Sequence, residues 1–354
     1  MSSIIIDCDL MKFPNSGLFH YCKNLGENLP IHIPDGVQAV MYVPPSAETV
    51  FKEKKIRTIT EKKWHRLWKP FLLDCRVWHA PFQSGRMIPN IKLFRHIKTV
   101  LTIHDLNVLH EGKPEAEQRK SIRHVRNLIS KSDYVVCISE FTKKDVEEHC
   151  DLGNKKVKVI YNGINPLAQP KAPFSHVKPK RPFLFGIGYV NPKKNFHVLL
   201  DLANQMEGWE IVISGRLDDP DYIKQIENRI ARLGLEDRFH LTGPISEAEK
   251  SWYMHNCTAF VHPSLAEGFG LPVLEAMSVG KPVFLSDRTS LPEIGGDAAF
   301  YFRNFSPDYM KNLILDGIQL FNDNQMETLV KNHALKYSWN EAAKEYAKIY
   351  SALL

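Results

Sequence analysis

The chain has 354 residues, 44% apolar and 24% charged, with a formal net charge of +6. That is enough for one or two domains with a sizeable core, in an ordinary soluble balance of residues. It holds no run of about 18 apolar residues that would span a membrane, and Asp7 interrupts the first apolar run too early for a secretory signal.

Ser3 to Cys8 reads as a short buried strand. A turn at residues 14–17 precedes helical spacing from Leu18 to Leu29, the opening of a doubly wound domain. Val37 to Val43, Val77 to Ala80 and Thr99 to Ile103 read as further strands, the last ending at His104-Asp105. Residues 115–131 read as a basic helix, and Tyr134 to Ile138 as a strand. A helix follows from Ser139, with Ser139 or Thr142 as its cap, then a strand from Val157 to Tyr161. Strands alternating with helices argue for a parallel sheet.

Residues 166–182 break the pattern with five prolines in a lysine-bearing segment, which reads as a linker. Alternation then restarts. Strands are expected at Phe183 to Ile187, Glu210 to Ser214, Arg238 to Leu241 and Thr258 to Val261. Helices are expected near 195–207, 220–234 and 246–256. The tail from Ser338 to Leu353 is an amphipathic helix with a Ser cap and Glu341 at the box position. Two doubly wound domains in tandem follow, 1–170 and 171–337, with ligands at the carboxyl ends of their strands.

Charge is uneven, with residues 1–170 carrying 26 Lys/Arg against 18 Asp/Glu. A basic half suits an anionic partner such as phosphate or a membrane surface; plain solubility is the competing account. Residues 52–73 concentrate Lys52, Lys54, Lys55, Arg57, Lys62, Lys63, Arg66 and Lys69 around Trp64, Leu67, Trp68, Phe71 and Leu72 at helical spacing. Such a helix lies on an anionic membrane or packs on the sheet, with Pro70 ending or kinking it. Nothing matches a nucleic-acid-binding signature. The six cysteines are scattered and read as reduced thiols of a cytoplasmic protein.

The chemistry concentrates in residues 262–275, His-Pro-Ser-Leu-Ala-Glu-Gly-Phe-Gly-Leu-Pro-Val-Leu-Glu. A buried strand enters and a helix leaves near Leu271, so glycine-flanked backbone amides and a helix N-terminus face a ligand between Glu267 and Glu275. Strand, turn, helix start and paired acids suit a sugar joined to a phosphate. Gly188 lies in the loop after the first strand of the second domain, ahead of Lys193 and Lys194. The two lysines either neutralise a pyrophosphate or are simply solvated. Gly243-Pro244-Ile245 offers main-chain groups and an apolar side chain to a nucleobase, or is only a turn. Arg216 faces nucleotide or water. His104 either touches a sugar or is a satisfied structural histidine. Gly17 would let a phosphate or acceptor approach. Asp219-Pro220-Asp221 matches a metal-binding Asp-x-Asp pattern, but reads better as a helix cap with proline in the first turn. No other cluster offers metal ligands at sensible spacing.

Residues 267–275 resemble the Glu-x7-Glu motif of the retaining glycosyltransferases of GT-B fold, the group 1 glycosyl transferases, and their mannosyltransferase-like branch in particular. Gly17, residues 102–105, 138–140 and 162–165, Lys193-Lys194-Asn195 and residues 290–298 match other segments of that family in order. The resemblance implies two Rossmann-like domains facing across a cleft, with residues 338–354 returning to the first. It implies donor contacts from Glu267 and the amides of Gly268, Phe269 and Gly270 to the sugar, from the amide of Leu271 to the diphosphate, and from Glu275 to the ribose. Lys194, helped by Lys193, would neutralise the diphosphate; Ile245 would lie at the base; His104 would touch the donor sugar from the acceptor side. Catalytic weight falls on His104, Lys194 and Glu267. Many members carry arginine where this chain has Gly188, and a second glycine where it has Phe19.

The reaction implied is metal-independent, retaining transfer of a hexose, with no cofactor. The donor would be a nucleotide sugar, GDP-mannose favoured, and the acceptor a saccharide or lipid-linked saccharide of surface polysaccharide synthesis. The enzyme would act in the cytoplasm or on the inner membrane face. A noncatalytic scaffold that binds lipid-linked sugar and a nucleotide-sugar epimerase are the rivals.

Overall fold

A computed structural model describes residues 2–14, 16–66, 69–84, 94–169 and 176–354. The chain divides into two compact units, residues 1–163 with 337–354, and residues 164–336. The chain leaves the first unit seven residues before the 170/171 division read from the prolines, which themselves lie partly outside the described residues.

The first unit is built on seven parallel strands: β1 (Ser2–Asp7), β2 (Val37–Val43), β3 (Thr58–Thr60), β4 (Cys75–Ala80), β5 (Lys98–Ile103), β6 (Tyr134–Cys137) and β7 (Lys156–Val159). Their order is β3-β2-β1-β4-β5-β6-β7. The apolar runs expected as buried strands do form them, because helices cover both faces and leave no polar side to the sheet. Along β1, Ile4 and Ile6 enter one core with Met41, Val77 and Val100, while Ile5 enters the other with Val40, Tyr42 and Trp78. That is the period of two expected of a strand. Helices α1 (Gly17–Asn28), α2 (Glu115–Ser130) and α3 (Glu140–His149) connect the strands. Ser16 caps α1 by accepting from Phe19 N–H, and Ser139 caps α3 by accepting from Thr142 N–H.

The second unit holds six parallel strands, β8 (Phe183–Ile187), β9 (Glu210–Ser214), β10 (Phe239–Gly243), β11 (Ala259–His262), β12 (Val283–Ser286) and β13 (Phe300–Phe302). Their order is β10-β9-β8-β11-β12-β13. Its helices are α4 (Val198–Gln205), α5 (Pro220–Leu233), α6 (Glu247–Asn256), α7 (Leu271–Ser278), α8 (Leu291–Gly295), α9 (Pro307–Asp323) and α10 (Glu327–Ala334). The last helix, α11 (Trp339–Leu353), belongs to the first unit. Its Trp339, Ala342, Ala343, Tyr346, Ala347 and Tyr350 join the core containing Ile4 and Ile6. Each such large side chain contributes roughly 1.5–3 kcal/mol when fully buried.

Helix α11 is also fastened by a buried polar chain. Tyr350 Oη is 2.7 Å from His79 Nδ1, His79 Nε2 is 2.8 Å from Thr102 Oγ1, and Thr102 Oγ1 is 2.8 Å from Tyr346 Oη. Tyr21 Oη donates to Tyr346 Oη at 2.6 Å. Buried hydroxyls and imidazoles need such partners, and here each satisfies the next.

The amphipathic helix expected over residues 52–73 does not form. That stretch holds β3 and two short 3-10 turns, Lys63–Arg66 and Pro70–Leu72. Proline at 70 opens the second turn. His65 turns inward and packs with Phe71 against Tyr42, whose hydroxyl is 3.2 Å from His65 Nδ1. Leu67 and Trp68 of the expected helix lie outside the described residues. Among the described residues no helix is long and apolar enough to cross a membrane. All six cysteines are buried free thiols.

Candidate functional site

Strand order in the second unit reverses between β8 and β11, and ligands of doubly wound sheets bind beyond the carboxyl ends of strands at such a switch point. The loop after β8 carries Gly188, Lys193 and Lys194; the loop after β11 carries residues 263–270. The two loops are stitched together. Leu265 N–H donates to Lys193 O at 2.8 Å, and Ser264 Oγ donates to the same carbonyl at 3.3 Å. Asn191 caps the 3-10 turn Pro192–Lys194 by accepting from Lys194 N–H, and Asn195 takes the left-handed conformation that ends it.

This scaffold brings Lys194 and Glu267 into contact. Lys194 Nζ donates to Glu267 Oε1, and His262 Nε2 lies 2.8 Å from the same oxygen. The pair is largely withdrawn from water, at 13% and 12% side-chain exposure. Burial alone would push the Glu267 carboxyl up, but the Lys194 ammonium and the His262 N–H hold it well below the usual carboxylate range. Its backbone is also held: Glu267 N–H donates to Thr289 Oγ1 at 2.8 Å, and Ser290 Oγ donates to Glu267 O at 2.9 Å. An ionised acid fixed this firmly can accept hydrogen bonds from sugar hydroxyls.

Gly270 follows at φ +100°, a left-handed position where a Cβ would also meet Leu291 Cδ2 at 3.0 Å. It turns the chain into α7 with proline in the first turn and no side-chain cap. Residues Gly268, Phe269, Gly270 and Leu271 thus lie between the fixed acid and a helix N-terminus, which favours an anion. Glu275 sits one turn further on. Its Oε1 accepts from Lys250 Nζ of α6 at 2.8 Å, and Lys250 also reaches Glu247 at 2.9 Å. The two motif acids therefore have separate partners.

The remaining positions expected on the donor side lie in the loops after β8, β9 and β10. Gly188 lies beside Lys194: a Cβ there would stand 3.1 Å from Lys194 Cε and 3.5 Å from Nζ. A side chain at 188 would press on the end of Lys194, which would have to give by a few tenths of an ångström. Gly215, after β9, has φ +135°, and a Cβ on it would lie 1.9 Å from Gly188 O. That backbone region is open essentially to glycine and costs other residues about 1–3 kcal/mol before any overlap. Gly215→Ala should lower the unfolding free energy by at least that much in chemical denaturation; unchanged stability would refute the close approach. Arg216 donates to Asp218 through Nε at 3.1 Å, pairs with it through Nη2 at 2.8 Å and stacks 5.2 Å over Tyr189. Its guanidinium is thus engaged on the surface. Ile245 is half-buried in the loop after β10. Asp219 Oδ1 accepts from Tyr222 N–H at 3.1 Å, the cap expected of the Asp-x-Asp segment.

In the first unit, His104 ends β5 and is 8% exposed. Its Nε2 lies 2.8 Å from Pro81 O, and a carbonyl can only accept, so Nε2 carries the proton. Burial lowers its pKa to about 4, although the Pro81 carbonyl works the other way, so the ring is neutral and its Nδ1 is an acceptor. Tyr21 and Phe82 pack edge-on against it. Gly17 begins α1, and a Cβ there would meet nothing within 4 Å.

Sequence reasoning gave no role to His262, Thr289, Ser290 or Lys250. Only His262 carried a local signal, a polar ring at the carboxyl end of a buried strand beside the motif. The expectation that no further cluster offers metal ligands also needs correction. Asp145, Glu148 and His149, one turn apart on α3, bring ligand atoms within 4.8 Å of one another. Asp145 is already hydrogen-bonded to His110 Nε2 at 2.7 Å.

Comparison with known proteins gives the family and the fold. The family model "Glycosyl transferases group 1" matches residues 168–336, and "Glycosyltransferase Family 4" matches residues 25–166. The lipopolysaccharide core biosynthesis mannosyltransferase LpsB of Rhizobium meliloti is 28% identical over 255 residues, 68% of either chain. The O-antigen chain mannosyltransferase B of Escherichia coli is 24% identical over 285 residues, 75% of this chain and 73% of the relative. Among solved structures, Anabaena HepE in complex with UDP-glucose superposes with a TM-score of 0.74 at 18% identity, covering 100% of both chains. The fold is GT-B, with two Rossmann-like sheets of seven and six strands. Residues 168–336 belong to the group 1 glycosyl transferases, and residues 25–166 to glycosyltransferase family 4.

Proposed function

We propose that the chain transfers a hexose from a nucleotide sugar to a saccharide or lipid-linked saccharide, with retention at the anomeric carbon and without a metal ion. One observation carries the reading: Glu267, ionised and fixed by Lys194 and His262, stands directly before the uncapped N-terminus of α7. Sugar and diphosphate, joined by one bond, need an acceptor and a positive site side by side. GDP-mannose is favoured as donor, on the named activity of relatives such as LpsB; the UDP-glucose of HepE belongs to a neighbour too distant to decide the base.

In this reading Glu267 and the amides of Gly268, Phe269 and Gly270 hold the hexose, while the amide of Leu271 with Lys194 and Lys193 holds the diphosphate. Glu275 takes the ribose hydroxyls in exchange for part of its contact with Lys250, Ile245 lies against the base, and Gly188 and Arg216 border the site. The bond from anomeric carbon to diphosphate oxygen breaks as positive charge develops on the sugar. The acceptor oxygen forms the new bond on the same face, and its proton passes to the leaving diphosphate. Lys194 and the helix N-terminus stabilise the charge that leaves. In the first unit, His104 offers Nδ1 to a sugar hydroxyl, and Gly17 lies on the acceptor side. A lipid-linked acceptor places the protein at an anionic membrane, where exposed Trp64 and Leu73 beside Lys62, Lys63 and Lys69 would make contact.

The test offers GDP-mannose, UDP-glucose, UDP-galactose and UDP-N-acetylglucosamine to the purified chain with saccharide and lipid-linked acceptors. Release of nucleoside diphosphate is followed, and the anomer formed is read by NMR. Transfer from one donor with retained configuration supports the reading. Binding of lipid-linked sugar without transfer from any donor would favour a scaffold instead.

A further inference from the structure

We propose that His262 is the positioning residue for Glu267: a fixed, single-proton donor that occupies Oε1 and turns Oε2 toward the hexose of the donor. This deepens the transferase reading above and rests on it. The ring ends β11 at the switch point of the sheet and is fully buried, at 0% exposure. It stacks on Phe260 with centroids 5.9 Å apart and planes 15° apart, so it is held from rotating. Its Nε2 meets a carboxylate oxygen, which can only accept, so Nε2 carries the proton. Its Nδ1 is buried with no hydrogen-bond partner among the described residues.

A second proton would therefore be buried without an acceptor, an unfavourable state. Burial of the ring also disfavours the imidazolium, although Glu267 works the other way. The ring is thus neutral and can do one thing, donate from Nε2. Lys194 meets the same oxygen. With both donors on Oε1, and the Glu267 amide and carbonyl held by Thr289 and Ser290, the carboxylate has one orientation left. Lys194 has three N–H groups and can share itself with a phosphate; His262 has one and cannot. Orientation of Glu267 while the diphosphate draws on Lys194 falls to His262.

The test compares wild type with His262→Leu, His262→Gln and His262→Asn. Glutamine can place an N–H near the Nε2 position, whereas asparagine is too short. Binding of GDP-mannose and UDP-glucose is measured against GDP and UDP alone, with kcat and KM for the donor across pH. In His262→Leu and His262→Asn the advantage of nucleotide sugar over bare nucleotide should fall at least tenfold, and kcat 10–100-fold, while GDP or UDP binds as in wild type. The acid limb of the kcat profile should move to higher pH, since Glu267 loses a donor to its ionised form. His262→Gln should recover most of both. Should His262→Leu fail to fold, the asparagine–glutamine pair carries the comparison. Equal loss of sugar-bearing and bare nucleotide, or an unchanged sugar increment, overturns the role of His262 alone. A wild-type protein that binds none of these nucleotides overturns the transferase reading and this inference together.

Discussion

Lys194→Ala should lower turnover in the transfer assay by about 10²–10³-fold, the usual loss when one donor to a developing anion is removed. It should also destabilise the second unit, for a separate reason. Lys194 and Glu267 are a buried pair, and removing one partner of such a pair costs roughly 3–5 kcal/mol because the other charge stays behind. The two effects can be pulled apart. Pairing Lys194→Ala with Glu267→Gln leaves no orphaned charge, so stability should recover while turnover does not. Lys194→Gln should behave likewise in turnover, since an amide donates but carries no charge to offset the diphosphate. Glu275→Ala provides the contrast. It lies a turn into α7, away from the bond that breaks, so donor KM should rise about tenfold, some 1.4 kcal/mol of binding, with a smaller change in kcat. Wild-type turnover in a folded Lys194→Ala protein would sink the assignment of the leaving-group site.

The contrast between Lys194 and Glu275 shows what could be read from the chain alone. Residues 262–275 were legible because the device is local: strand end, glycine turn, helix start and both carboxylates fall within one short segment, where rules of spacing apply. Ten of the thirteen strands were legible for a similar reason, most being buried on both faces and so largely apolar. Partners were not legible. Lys250 reaches Glu275 from α6 and Lys194 reaches Glu267 from the loop after β8, and only the strand order β9-β8-β11 sets those elements side by side. Residues 276–337 were assigned no secondary structure, although they form β12, β13 and α8 to α10. Residues 52–73 misled because His65 and Phe71 serve Tyr42 and Trp78 in a side core rather than one stripe of a helix. The close approach of Gly188 to the end of Lys194 is likewise a contact that spacing cannot report.

Acid should loosen the first unit between about pH 6.5 and 4, beginning well above the range in which ordinary carboxylates take up protons. Burial lowers the pKa of His79 to about 3, with His104 nearby adding to the effect, and that of His104 to about 4. Both rings are therefore neutral in the fold and titrate near 6.5 once it opens. Below pH 6.5 the unfolded chain binds protons at these two rings that the native chain does not, and His65, whose pKa burial also lowers, adds in the same direction, so stability falls as pH falls, until the rings are protonated in the fold as well. At pH 5 the loss amounts to about 2 kcal/mol per ring, at 1.36 kcal/mol per unit of displacement. His79 sits between Tyr350 of α11 and Thr102 of β5, so the loosening should begin with release of α11. Hydrogen exchange resolves it: α11 and β5 amides should lose protection steeply from pH 7 to 5, after correction for intrinsic exchange rates. His79→Asn, which removes one titrating ring and keeps an amide in the polar chain, should start less protected at pH 7 but fall less steeply, by about half. Asp145, whose carboxyl burial pushes up despite His110, works in the opposite direction and is common to both proteins. Equal slopes in wild type and His79→Asn would show that the buried rings do not govern acid stability.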